Sequence, residues 1–167
     1  MLAVVATLTC MHAHAASGKD GQFLSELADG WRLVQTPNPL GGPQAVSIMH
    51  TADPSRSDLD FAGLMIRCDR GLPQLAIVLL RAFPIRARPR VTLGERDDAR
   101  QVEATIGPPG TTVILPGDPK TLFGRSWSAE GDFFMRVVDG SATISGVVAL
   151  AGVQSALSAL IASCPRS

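Results

Sequence analysis

Leu59-Asp60-Phe61-Ala62-Gly63-Leu64-Met65-Ile66-Arg67-Cys68 is the stretch on which the fold turns. Successive side chains of an extended chain point to opposite faces, so Ala62, Leu64, Ile66 and Cys68 share one side while Phe61, Gly63, Met65 and Arg67 take the other. The first set is uniformly apolar, which turns the Cys68 thiol toward a core. Val153 to Cys164 has a different period: Val153, Ala156, Leu157, Leu160, Ile161 and Cys164 recur at the three-and-four spacing of a single helical face. The step from Val153 to Cys164 is about three whole helical turns, so the second thiol points where the apolar stripe points, and Pro165 ends the helix. Two thiols placed on inward faces by independent periodicities are what a strand-to-helix bridge between Cys68 and Cys164 needs.

The third cysteine, Cys10, falls in a segment with the features of a cleavable leader. Leu2 to Thr9 is a short apolar run, and Ala13-His14-Ala15 fits the small-x-small pattern before a cleavage site. No Lys or Arg precedes the run, which points to a start assigned too late; the alternative is a buried N-terminal helix. On the leader reading, residues 1–16 form a signal peptide, 17–30 a polar lead-in and 31–167 one β-rich domain. Cys10 then leaves with the leader, and an even pair remains for an oxidising compartment. Closing a loop of about 97 residues restricts the unfolded chain by roughly 4.7 kcal/mol in the chain-entropy account. The expected location is therefore periplasmic or secreted, with no stable insertion in the membrane after cleavage.

The 167-residue length suits one domain with a substantial core. An apolar fraction of 46% argues against disorder. Lys plus Arg and Asp plus Glu are 15 each, so no global field steers the chain to nucleic acid or an anionic membrane. From Trp31 onward the pattern is short strands between turns: Trp31 to Thr36, Gln44 to Thr51, Leu59 to Cys68, Leu75 to Phe83, Gln101 to Ile106, Thr111 to Leu115, and a last hairpin of Phe133 to Val138 with Thr143 to Leu150 around Asp139-Gly140. A helical turn is expected at Phe23 to Leu27, a connection at Asp69 to Pro73, and a short helix at Asp118 to Gly124 with Asp118 as N-cap and Pro119 first inside. The fold class this predicts is mainly β: an antiparallel β-sandwich or curled sheet with a C-terminal helix packed on it.

Catalytic chemistry has little to stand on. With His12 and His14 in the leader, a nucleophile–His arrangement would have to run through His50, whose place at a strand end suits a hydrogen-bonded structural role. Two cysteines and one histidine do not compose a zinc site, and Glu95, Asp97 and Asp98 are interleaved with Arg96 and lack the spacing of a calcium loop. Asp58 with Asp60, and Glu130 with Asp132, are the carboxylate pairs open to acid–base work. Gly107-Pro108-Pro109-Gly110 is a turn whose prolines cannot donate to a phosphate. No cofactor, metal or catalytic residue is expected.

One local feature stands apart. Arg81, Arg86, Arg88 and Arg90 crowd into ten residues, interleaved with Phe83, Pro84, Ile85 and Pro89. Guanidinium forks suit phosphate or carboxylate, which points to an anionic envelope component or an acidic partner protein; the alternative is an exposed edge strand kept from aggregating by charge and proline. Tyr is absent and other aromatics are few, which disfavours nucleic acid.

Trp31, the strand ending Arg67-Cys68 and the closing helix with Gly152, Ala156, Leu157, Leu160 and Cys164 give the chain a resemblance. It resembles small bacterial envelope proteins of the VasI type, accessory to type VI secretion, and similar periplasmic β-sandwich proteins. The resemblance implies a disulfide-bonded sandwich-like fold without established enzyme chemistry, and transfers no functional residue. The reading that follows is a non-catalytic exported accessory protein with an envelope protein as partner; a hydrolase using a carboxylate pair, or a carrier of a small ligand between sheet and helix, are the alternatives.

Overall fold

The computed structural model describes residues 23–38 and 41–165; the leader read at residues 1–16 lies outside them. The chain runs through β1 (Phe23–Glu26), β2 (Arg32–Thr36), β3 (Ala45–Thr51), β4 (Phe61–Asp69), β5 (Leu72–Leu79), β6 (Arg90–Leu93), β7 (Arg100–Glu103), β8 (Thr105–Gly107), β9 (Thr112–Ile114), α1 (Pro119–Phe123), α2 (Ser126–Ala129), β10 (Asp132–Asp139), β11 (Ala142–Ala149) and α3 (Val153–Ser163). The strands form two antiparallel sheets, one in the order β1-β2-β3-β4-β5-β9-β8 and the other β11-β10-β6-β7. The mainly β fold with a packed C-terminal helix is the one the two periodicities predict.

Cys68 and Cys164 are bonded, with their Cα atoms 5.8 Å apart. On the β4 face that carries Cys68, Ile66 pairs in register with Ile48 on one side and Leu75 on the other, and all three are fully buried. α3 crosses this face over β2 to β5, burying Val153, Ala156 and Leu160. Ile161, expected on the same stripe, stays 55% exposed; the buried stripe is narrower than the spacing suggests because only the residues nearest its centre line reach the sheet. At the other end of α3, Trp31 is fully buried and its indole Nε1–H donates to Ala151 O at 2.9 Å, the partner a buried indole requires.

β4 carries an irregularity that single-strand alternation misses. Pairing with β5 shifts register between Phe61 and Gly63, so Phe61 turns inward and is buried although alternation opposes it to Leu64. A bulge of this kind re-aims one side chain without disturbing the rest of the ladder. The Phe61 ring meets the second sheet at Gly146, where a Cβ would lie 2.2 Å from it. In that sheet Phe133, Met135 and Val137 alternate into the core while Phe134 and Arg136 face outward.

Several local expectations change. Phe23–Glu26 is a strand and not a helical turn, because it adds to the β2 edge with Leu24 opposite Val34; pairing overrides the weak preference of so short a segment. The β4–β5 connection shrinks to Arg70-Gly71, both with positive φ, as the tightest hairpins require. Gln101 to Ile106 is two strands: it breaks at buried Ala104, whose N–H donates to Pro89 O, and its halves join different sheets. α1 forms as expected, with the Asp118 carboxylate accepting from Thr121 N–H at 3.0 Å and Pro119 opening the helix.

Replacing both bridged cysteines by serine is expected to lower the unfolding free energy by about 2–5 kcal/mol, read as a shift of the urea midpoint. Gly146→Ala should cost about 1–3 kcal/mol by overpacking against Phe61. The same change in a Phe61→Leu background should cost distinctly less, and equal costs would mean the ring is not what Gly146 accommodates.

Candidate functional site

The arginine-rich segment is the crossover that carries the chain from β5 in the larger sheet to β6 in the smaller one. It is not an edge strand: only Arg90 lies in a strand, and β6 is flanked by β10 and β7. Pro84 and Pro89 explain the difference, since each removes a ladder donor. The segment is nevertheless held at fixed points. Leu80 N–H donates to Asp60 O (2.9 Å), Phe83 N–H to Gly110 O (2.9 Å) and Ala87 N–H to Pro84 O (2.9 Å), and Pro89 O accepts from Ala104 N–H (2.9 Å). The Phe83 and Pro89 side chains are buried between these anchors.

Arg81, Arg86, Arg88 and Arg90 are all exposed. Arg88 Nη1 donates to Ala87 O (3.0 Å) and Arg86 O (3.3 Å), which bends one guanidinium back along its own loop. Arg90 stands beside Glu103 in cross-strand register without pairing to it. The ion pairs among the described residues lie elsewhere: Arg56 with Asp132, more distantly with Asp53, and Arg125 with Asp98 at 3.3 Å.

The carboxylates singled out from the sequence have structural partners. Residues 53–58 cover the outer edge of β11. Asp53 N–H donates to Val147 O (2.9 Å), Asp58 N–H to Ser145 O (2.9 Å), Ser145 N–H to Asp58 Oδ2 (2.6 Å) and Val147 N–H to Ser57 Oγ (3.0 Å). Asp58 thus protects an open strand edge, while Asp60 contributes its carbonyl to Leu80. Asp132 is held by Arg56, and Glu130 Oε2 accepts from Gly152 N–H at 3.4 Å. His50 faces backbone carbonyls with both ring nitrogens, Nδ1 with Thr51 O at 2.8 Å and Nε2 with Asp29 O at 2.9 Å; it ties the end of β3 to the turn before Trp31. Among the described residues no group of three His, Cys, Asp or Glu side chains is placed to hold a metal ion, and no helix is long and apolar enough to cross a membrane.

Two features escape the sequence. One is a groove of about 500 Å³ beside the bridge, lined among others by Thr36, Pro43, Cys68, Arg70 and Pro165; it is assembled from two hairpin ends and the end of α3, so no local motif announces it. The other is the β11 cover, whose donors and acceptors are far apart in the chain.

Compared with known proteins, the chain matches no family model, no curated protein and no solved structure.

Ser55 Oγ–H (2.7 Å) and N–H (2.9 Å) donate to Asp53 Oδ1, and these bonds, helped by the Arg56 charge, hold the Asp53 carboxyl below its ordinary range. A depressed folded-state value stabilises the cover above the unfolded value of ~3.9 and loses effect as pH falls through the folded one. Amide-exchange protection at Val147 should accordingly be higher in the native protein than in Asp53→Asn above that pH. The difference should vanish on further acidification; a gap that persists in acid would count against the Asp53 contacts.

Proposed function

We propose that the protein is a non-catalytic exported accessory protein that engages an anionic component of the cell envelope through Arg81, Arg86, Arg88 and Arg90. The observation that carries this reading is a set of four exposed guanidiniums without carboxylate partners among the described residues, on a segment anchored by Phe83 and Pro89. A charged group already held in place loses less side-chain and backbone freedom on binding, so more of its interaction energy reaches the complex. Arginine's planar fork pairs with phosphate or carboxylate in two parallel hydrogen bonds. The disulfide supports an oxidising compartment, in keeping with the leader read at residues 1–16.

Crosslinking in the native envelope tests the reading. Arg86→Glu with Arg88→Glu should lower capture of the partner by about tenfold or more, hydrogen bonds to charged groups contributing about 1.5–3 kcal/mol each. Lys120→Glu, an exposed reversal on α1, should leave capture unchanged. If both variants capture alike, the crossover is not the contact.

A further inference from the structure

We propose that the end of the molecule bearing the arginine crossover is a peripheral docking surface for an anionic lipid bilayer. The inference rests on reading the crossover as anion-contacting and names the anion as lipid phosphate. What points to lipid is the apolar company the arginines keep. Leu59 is 93% exposed, Leu80 69% and Ile85 48%. Leu59 and Leu80 lie on segments joined by the hydrogen bond from Leu80 N–H to Asp60 O, and Ile85 sits in the turn closed by Ala87 N–H on Pro84 O. The exposed Pro108-Pro109 turn lies next to them, through the bond from Phe83 N–H to Gly110 O. Two of the three apolar tips adjoin a cation in the chain, Leu80 before Arg81 and Ile85 before Arg86, while Leu59 lies between Asp58 and Asp60. Large apolar side chains grouped at one end and rimmed by charge mark an interaction surface.

Composition selects the occupant. Leu59, Leu80, Ile85, Arg81, Arg86 and Arg88 all stand exposed at this end. This end thus presents exposed apolar tips beside guanidiniums, the combination that an anionic bilayer interface takes up. A bilayer interface, which deforms around such tips, takes up the leucines and isoleucine at the boundary between headgroup and acyl chain. The arginines stay at the phosphates, their stems lying along the apolar zone. Asp58 and Asp60 flank Leu59 and Glu103 stands opposite Arg90, three carboxylates against Arg81, Arg86, Arg88 and Arg90, and Asp58 is turned to the Ser145 amide. The anchors of the crossover keep tips and cations in one arrangement before contact, so docking needs no refolding of the loop.

Flotation with vesicles, using the protein purified in its disulfide-bonded form, tests the proposal. It should float with vesicles of phosphatidylethanolamine and phosphatidylglycerol and remain behind with phosphatidylcholine alone. Binding should fade toward about 1 M salt, where the Debye length is about 3 Å. Arg81→Gln/Arg86→Gln/Arg88→Gln should weaken partitioning about a hundredfold, roughly fivefold per basic residue near an anionic surface. Leu59→Ser/Leu80→Ser/Ile85→Ser should weaken it by at least about tenfold with the fold and bridge intact, since all three side chains are exposed. Equal binding to both vesicle types, or an unchanged apolar variant, overturns the lipid assignment. If the protein ignores vesicles yet crosslinks to an acidic protein in an Arg86- and Arg88-dependent way, the lipid inference falls while the anion-contact reading stands. If neither vesicles nor such a protein is bound, both fall.

Discussion

The Cys68–Cys164 bond joins the fourth strand of one sheet to the residue after the last helix, 96 positions away in the chain. Without it, α3 would hold to the sheet by buried Val153, Ala156 and Leu160 with half-buried Leu157 beside them, a narrow stripe with Ile161 left in water. A helix of this length is marginal by itself in water, so its stability comes from the surface it covers. The bridge fixes one end of it and the Trp31 indole on Ala151 O fixes the turn at the other. Between these points the helix closes the face on which Ile48, Ile66 and Leu75 meet. The larger sheet therefore has a covered side along β2 to β5.

The second constraint is the passage of the chain between sheets. It crosses at residues 80–89, at Ala104, through α1 and α2, and each crossing leaves backbone groups that a ladder would otherwise satisfy. The crossover of residues 80–89 borrows partners from Asp60, Gly110 and Ala104, which join three chain segments at one end of the molecule. The same economy appears at the outer edge of β11, where residues 53–58 occupy donors and acceptors that an unpaired strand would offer to another chain. The carboxylates that invite a catalytic reading in the sequence are largely spent on this architecture. The arginines of the crossover are not, because the anchoring is done by backbone, Phe83 and Pro89, and the guanidiniums are left facing solvent.

How much could be read in advance follows from the range of the interaction concerned. The β4 alternation from Leu64 onward, the α3 stripe apart from Ile161, the Asp118-Pro119 helix start and the hairpin around Asp139-Gly140 depend on neighbours a few residues away, and they form as their patterns imply. The bulge between Phe61 and Gly63, the break at Ala104 and strand β1 depend on which segment lies alongside; Gly63, with its positive φ, is the one local mark, and it belongs to the bulge. The candidate site divides the same way. Clustering of Arg81, Arg86, Arg88 and Arg90 is plain in the sequence, whereas their place on a crossover, and the company of Leu59, are not.

Local pattern suffices for the mainly β class, the closing helix and the inward aim of the Cys68 and Cys164 thiols, because strand and helix periods set all three. The division of the strands into two sheets, the use of Asp58 at the β11 edge, and the place of the arginines on an anchored loop near exposed Leu59 and Leu80 are visible only once the chain is folded. The physical reason is that a side chain's facing is set by local backbone geometry, while its neighbours across space are set by which long loops close, and a single chain's local pattern does not encode that choice.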